Sequence, residues 1–159
     1  MIEDDLELSG RVALITGGSR GIGRAVAELF AGHGTHVAIN YRNDSHSAAR
    51  AVAFAESKRV RASAIKADIA KLTEADRLVH ETLEQFKRID FVICNAGIWE
   101  GGPVESISEE LWDETIDTNL KGTWTVCRAA VPIMKEQKFG RIVIVSSTAG
   151  QRGEANVSN

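Results

Sequence analysis

The sequence predicts an α/β fold in which a doubly wound, mostly parallel sheet carries helices on both faces. Three observations predict it. Short apolar runs alternate with segments of helical period from residue 11 to residue 146, the pattern of successive βαβ units. The runs Val12-Ala13-Leu14-Ile15, Phe91-Val92-Ile93-Cys94 and Ile142-Val143-Ile144-Val145 contain no polar break, which suits central strands covered on both sides. A glycine-rich turn, Thr16 to Gly23, joins the first of these runs to the first helical pattern.

Residues 1–10 read as a loose start, with Leu6 and Leu8 placed to pin it to the sheet. The first strand spans 11–16. The first helix spans 21–33 on the period of Ile22, Val26, Leu29 and Phe30, and Gly32 and Gly34 end it. The second strand is 35–40. An Asn43-Asp44-Ser45 cluster then offers an N-cap for a helix over 44–58, whose apolar stripe is Ala49, Val52 and Ala53. The third strand, 60–67, alternates Val60, Ala62 and Ala64 with Arg61, Ser63 and Ile65, which suits an edge. Thr73-Glu74-Ala75-Asp76 opens a third helix with Leu78, Val79, Leu83 and Phe86 on one face. The fourth strand is Ile89 to Cys94, followed by a loop holding Gly97, Gly101, Gly102 and Pro103. From Ser108 a long helix runs to about Lys135, on a stripe of Leu120, Trp124, Cys127, Val131 and Met134. The fifth strand is Arg141 to Ser146. This arrangement matches the strand order 3-2-1-4-5 in a three-layer α/β/α sandwich, with a crevice beyond the carboxyl ends of strands one and four.

A chain of 159 residues has room for one domain with a real core and not for two. A net charge of −3, with no basic run, argues against nucleic acid as a partner. No apolar run reaches membrane-spanning length, and the acidic start Glu3-Asp4-Asp5 is unlike a signal peptide. The two cysteines, Cys94 and Cys127, lie in apolar patterns without a further ligand at metal spacing; they read as buried thiols of a reducing compartment. The chain therefore reads as cytoplasmic, with no membrane and no metal.

The turn Thr16-Gly17-Gly18-Ser19-Arg20-Gly21-Ile22-Gly23 points to phosphate binding. Gly17 can take the positive φ of a tight turn off a strand end. Gly21, lacking a Cβ, would let a pyrophosphate reach the main chain at the positive end of the helix. Gly23 would let that helix lie close on the sheet. The spacing G-x-x-x-G-x-G departs from the G-x-G-x-x-G fingerprint, and no Gly-Lys-Ser/Thr follows to make a P-loop. A plain glycine-rich turn is the competing reading of this segment alone.

Four further segments join it. Asp68 and Ile69 follow strand three, Cys94-Asn95-Ala96-Gly97 follows strand four, Asn119 lies in the fourth helical region, and Ser146-Ser147 closes strand five. Together with Thr16 to Gly23 these resemble the short-chain dehydrogenase/reductase family along essentially the whole chain, with a cysteine where the family has the first asparagine of Asn-Asn-Ala-Gly. The resemblance implies a Rossmann domain over 1–159, the N-terminal part of a catalytic domain of that type, lacking the C-terminal part of the family fold. It implies that Thr16, Gly17, Ser19, Arg20, Gly21, Ile22 and Gly23 hold the cofactor diphosphate. Asp68 would accept from the adenine amino group, with Ile69 beside it. Asn95, Ala96 and Gly97 would border the cofactor, Asn95 by holding the loops in place. Ser147 would hydrogen-bond the substrate oxygen, and the Asn119 main-chain carbonyl would serve a proton relay. A solvent-facing Asn119 is the alternative, opposed by a core-edge setting near Leu120 and Trp124.

The end of strand two decides the cofactor. NAD-binding folds place an acid there for the ribose 2′-hydroxyl, but Asn40-Tyr41-Arg42 offers no carboxylate before Asp44. Arg42, with Arg20 from the turn, suits a 2′-phosphate. Tyr41 borders the same position. NADP(H) is therefore favoured, and NAD(H) stays open.

The family's Tyr-x-x-x-Lys pair does not occur; the single tyrosine is Tyr41, and the expected position falls just past Asn159. Two readings compete: the retained portion of a longer enzyme, or a short nucleotide-binding module without turnover. The bare apolar fifth strand favours the first. The substrate implied is a small-molecule or acyl-carrier-linked carbonyl, as in 3-oxoacyl-(acyl-carrier-protein) reductases, with sugar dehydrogenases using NAD(P) close behind. A homo-tetramer or dimer is implied for the full-length form. Trp99 and Glu100 would border the substrate mouth or simply pack. The four histidines read as surface residues, and a Rossmann-type methyltransferase is disfavoured by Asn95-Ala96-Gly97 and the two arginines.

Overall fold

The computed structural model describes residues 7–159, so the expectation for Leu6 lies outside the described residues. Five parallel strands form one sheet: β1 (Val12–Ile15), β2 (His36–Tyr41), β3 (Ala62–Lys66), β4 (Phe91–Cys94) and β5 (Arg141–Ile144). Their order is β3-β2-β1-β4-β5. The helices are α1 (Gly21–Gly32), α2 (Ser45–Ser57), α3 (Leu72–Phe86), α4 (Glu109–Ile116), α5 (Gly122–Gln137) and the short α6 (Ala149–Arg152).

Side-chain alternation along the strands splits the core in two. Val12 and Leu14 of β1 join Ile65, Leu78, Val79, Ile89, Val92 and Val126 on the α3/α5 face. Ala13 and Ile15 join Val37, Ile39, Ala27, Ala31, Ala51 and Ala55 on the α1/α2 face. Strand β1 is buried at every position, as the middle strand must be. The edge strand β3 buries only Ile65.

The helix faces depart from the sequence expectation in phase. In α1 the buried residues are Gly23, Ala27 and Ala31, while Ile22 and Leu29 face outward. In α2 they are Ser47, Ala48, Ala51 and Ala55, and Ala49 and Ala53 are exposed. Alanine-rich helices leave the apolar stripe ambiguous, and only small residues let them lie close to the sheet. The long fourth helix is interrupted by one turn of π-helix, Asp117–Lys121. That extra residue per turn rotates the helix beyond it, so α5 buries Gly122, Thr125, Val126, Ala130 and Met134. Leu120 and Trp124 are 66% and 55% exposed instead. Strand β5 pairs only with β4, and its Val143 and Ile144 are 51% and 56% exposed.

At the amino end of the sheet, Asp90 is buried between β1 and β4. Its carboxylate accepts from the Val12 main-chain N–H at 2.9 Å, from Arg88 Nε at 2.7 Å and Nη2 at 2.6 Å, and from Arg11 Nη1 at 3.3 Å. His36 is also more than a surface residue: half-buried on β2, its Nδ1 accepts the Arg61 N–H at 3.0 Å and its ring stacks on Phe86.

Both residues can be tested by their effect on stability. Asp90→Ala strands the Val12 N–H and removes charged hydrogen bonds, and should lower stability by about 2–3 kcal/mol in urea unfolding. Burial, then the Arg61 charge, holds the His36 imidazole below its ordinary 6.5. The unfolded chain therefore takes up this proton first, so the stability it carries is complete above 6.5 and is lost as pH falls below that value. His36→Asn should flatten the stability-against-pH curve on the acid side of that value; an unchanged slope would show that His36 has no part in it.

Candidate functional site

Beyond the carboxyl ends of β1, β2 and β4 lies a crevice of about 390 Å³. Strand β1 delivers Thr16, fully buried, to its floor. Thr16 Oγ1 accepts the main-chain N–H groups of Asn95 and Ala96, each at 3.0 Å. The Asn95 side-chain amide donates back to the Thr16 carbonyl at 3.0 Å and the Gly17 carbonyl at 3.4 Å. The loops after β1 and β4, where the winding of the sheet reverses, are fastened by these contacts. Gly17 has φ +62°, and a Cβ there would stand 2.9 Å from the Ala96 Cα. A Cβ on Gly23 would collide with the Asn95 amide nitrogen and stand 2.6 Å from the Gly17 carbonyl oxygen.

The start of α1 faces this crevice without a capping side chain. Arg20 at the N-cap makes no side-chain cap hydrogen bond, and no acid lies in the first turn. Helix α1 therefore presents main-chain N–H groups and a partial positive charge that no side chain of its first turn answers. Gly21 leaves open space where a Cβ would stand. Ser19, Arg20, Gly21 and Ile22 form this wall.

Asn40 at the end of β2 is buried. Its Oδ1 accepts the Gly17 N–H at 3.3 Å and its amide donates to the Ala67 carbonyl at 2.9 Å, tying the turn to β2 and to the loop after β3. Asp44 caps α2, accepting from the Ser47 N–H at 2.9 Å, and that bond holds its carboxyl below the usual range. Asp44 also lines the crevice, with one of its carboxylate oxygens engaged by the Ser47 N–H. Tyr41 and Arg42 reach its wall from β2, and Asp68 and Ile69 from the loop after β3. The Asp68 N–H donates to Glu74 at 2.8 Å, and Asp68 Oδ1 accepts from the Ala70 N–H at 3.1 Å.

Asn95, Ala96 and Gly97 complete the lining; Thr16 and Gly23 lie beneath it. Asn119 and Ser147 are outside it. The Asn119 side chain clasps the loop after β4, its Oδ1 accepting the Ile98 N–H at 2.9 Å and its Nδ2 donating to the Ile98 carbonyl at 3.0 Å. Its main-chain carbonyl, at the π-turn, accepts from Thr123 Oγ1 at 2.9 Å. The core-edge setting expected for Asn119 does not hold, because Leu120 and Trp124 point outward; the asparagine is exposed and hydrogen-bonded. Ser147 is exposed beyond β5, its Oγ accepting the Ala149 N–H at 3.1 Å. Trp99 is exposed as well.

Sequence reasoning misses Asn40, Thr118 and Glu114. Asn40 carries a signal, a polar residue within the apolar β2. Thr118 lines the crevice from the π-turn, which no sequence pattern marks. Glu114 on α4 pairs with Arg42 at 3.3 Å. Cys94 and Cys127 have their sulfurs 3.8 Å apart, and burial pushes the Cys94 thiol up to about 12; it stays protonated and is no nucleophile.

The sequence and the fold match a family of known proteins. Residues 11–159 match the family described as short chain dehydrogenase, and the chain belongs to that family. A 3-oxoacyl-[acyl-carrier-protein] reductase of Synechocystis sp. is 38% identical over 152 residues, covering 96% of this chain and 62% of that protein. A short chain dehydrogenase from Burkholderia cenocepacia J2315, solved in complex with NADP, superposes with a TM-score of 0.89 at 34% identity, over 95% of this chain and 61% of its own. An NAD+-bound xylitol dehydrogenase gives a TM-score of 0.90 at 29% identity, over 96% and 58%. The chain thus spans about three-fifths of the length of the relatives it matches. Among the described residues, no helix is long and apolar enough to cross a membrane.

The fastening is the part most exposed to mutation. Thr16→Val removes the acceptor of two part-buried N–H groups and should cost about 1–2 kcal/mol in denaturant unfolding. Gly23→Ala, facing a fixed carbonyl and the Asn95 amide, should cost at least as much. Native stability in both variants would show that the contacts carry no load.

Proposed function

We propose that this chain is the cofactor-binding part of an NADP(H)-dependent oxidoreductase that moves hydride between nicotinamide and a carbonyl or secondary alcohol. The observation that carries it is the crevice at the start of α1: main-chain N–H groups without a capping side chain or first-turn acid, under a turn fastened by Thr16 and Asn95. A diphosphate fits that chemistry, because its oxygens accept from such groups and its charge complements the helix end. The bound cofactor supplies or accepts the hydride.

The residues present divide the remaining work. Ser19, Arg20, Gly21 and Ile22 would hold the diphosphate, with Gly17 and Gly23 shaping the turn. Asp68 and Ile69 would receive the adenine. Asn95, Ala96 and Gly97 would border the nicotinamide half, with Asn119 holding their loop through Ile98. Ser147 would orient and polarise the substrate oxygen. The relay role of the Asn119 carbonyl needs a water to displace or share the Thr123 hydroxyl. NADP(H) is preferred because the last positions of β2, Asn40 and Tyr41, carry no carboxylate, while Arg20 and Arg42 reach the wall where a 2′-phosphate would lie. The kinship with 3-oxoacyl-(acyl-carrier-protein) reductases supports an acyl-carrier-linked or similar small carbonyl substrate.

Fluorescence titration of the natural protein with NADPH and NADH tests the reading. NADPH should bind more tightly, and Arg42→Asp should weaken it about tenfold or more while sparing NADH. NADPH should also support reduction of a generic β-ketoester. Absence of affinity for either nucleotide would overturn the proposal; an unchanged preference in Arg42→Asp would remove Arg42 from the site.

A further inference from the structure

We infer that Glu114 on α4 tempers the cofactor preference, by competing with the 2′-phosphate for Arg42. The inference rests on the proposed NADP(H) reading and deepens it. Arg42 Nη1 lies 3.3 Å from Glu114 Oε1, a contact between residues 72 apart in sequence. It links the end of β2 to α4, across the edge of the crevice that Arg42 lines.

The surrounding charges single out this pair. Lys71 is held by its near neighbours Asp68 at 3.9 Å and Glu74 at 3.2 Å, and Lys121 by Asp117 at 3.1 Å. These are local pairs within or beside one helix. Arg42 is instead held by a carboxylate brought to it by the tertiary fold, and among the described residues no ion pair engages Arg20. The neighbouring hollow beside Arg42 is lined by Asp68, Glu114 and Asp117 together with Lys71 and Lys121, so its charges are largely balanced and Glu114 is the carboxylate that engages Arg42. A 2′-phosphate arriving here would bring nearly two negative charges beside Glu114 and would have to draw Arg42 away from it. A ribose 2′-hydroxyl carries no charge and leaves the pair intact. Glu114 therefore weakens binding of the phosphorylated cofactor selectively, acting through Arg42. It is a positioning residue.

Both members are about half exposed, so solvent screens the pair and its effect is moderate. In the natural protein, Glu114→Gln keeps the size and helix propensity of the side chain and removes its charge. Equilibrium titration with NADPH and NADH reads the result. Glu114→Gln should tighten NADPH about two- to fivefold and leave NADH unchanged within error, and Glu114→Asp should stay close to the natural protein. In an Arg42→Ala background most of the gain should vanish, which a purely structural role of Glu114 would not produce. If the natural protein binds NADPH and Glu114→Gln shifts both nucleotides equally, shifts neither or weakens NADPH, the inference falls and the NADP(H) reading stands. If the natural protein binds no NADPH, both fall.

Discussion

The hydroxyl of Thr16 is the point on which the crevice depends. It sits where β1 ends, accepts two N–H groups from the start of the loop after β4, and leaves its own carbonyl to the Asn95 amide. Two neighbouring parallel strands whose connections run to opposite faces leave a gap at their carboxyl ends. Without a fastening, the glycine-rich turn would have many conformations to choose from, and the α1 N–H groups would lose a common direction. The same bonds explain why Gly23 faces so little free space. A helix can begin directly over the turn only if its first turn has no Cβ at the point of closest approach.

Strands β1 and β4 were legible in the sequence because a covered parallel sheet demands unbroken apolar runs; the similar run of β5 suggests a central strand too, but it lies at the end of the sheet with Val143 and Ile144 exposed. Strand β3 was legible as an edge for the opposite reason. The helix faces were less so. Alanine occupies so many positions of α1 and α2 that several stripes satisfy the same period, and contact with the sheet selects among them. The π-turn at Asp117–Lys121 was illegible, since one residue's change in helical winding leaves no mark on composition. Its effect is large: it turns Leu120 and Trp124 outward and carries Thr118 to the crevice.

The glycine turn, Asp68 and Asn95-Ala96-Gly97 were readable because each lies at a strand's carboxyl end, where topology alone brings them together. The electrostatics at the end of β2 were not. Asn40 could be seen as a missing carboxylate, but not as a tie to Gly17 and Ala67. Arg42 could be seen as a cation, but not as one held by Glu114, because that contact joins α4 to β2 through the fold. Sequence shows which charges exist; the packing of the helices determines which of them are already answered.

The two halves of the expected site are built to different degrees. The half proposed for the nucleotide is bordered by three loops and tied by part-buried hydrogen bonds. The substrate half, Ser147 above all, stands at the open end of β5, a strand hydrogen-bonded on one side and apolar on the other. A hydroxyl can polarise a carbonyl only when its direction is fixed and water is excluded around it. Ser147 is positioned by one bond to the Ala149 N–H and is exposed to solvent. An apolar strand edge gains most when another element covers it. The loops after β1 and β4, by contrast, are held to one another by Thr16 and Asn95, so the crevice between them has its shape without further cover.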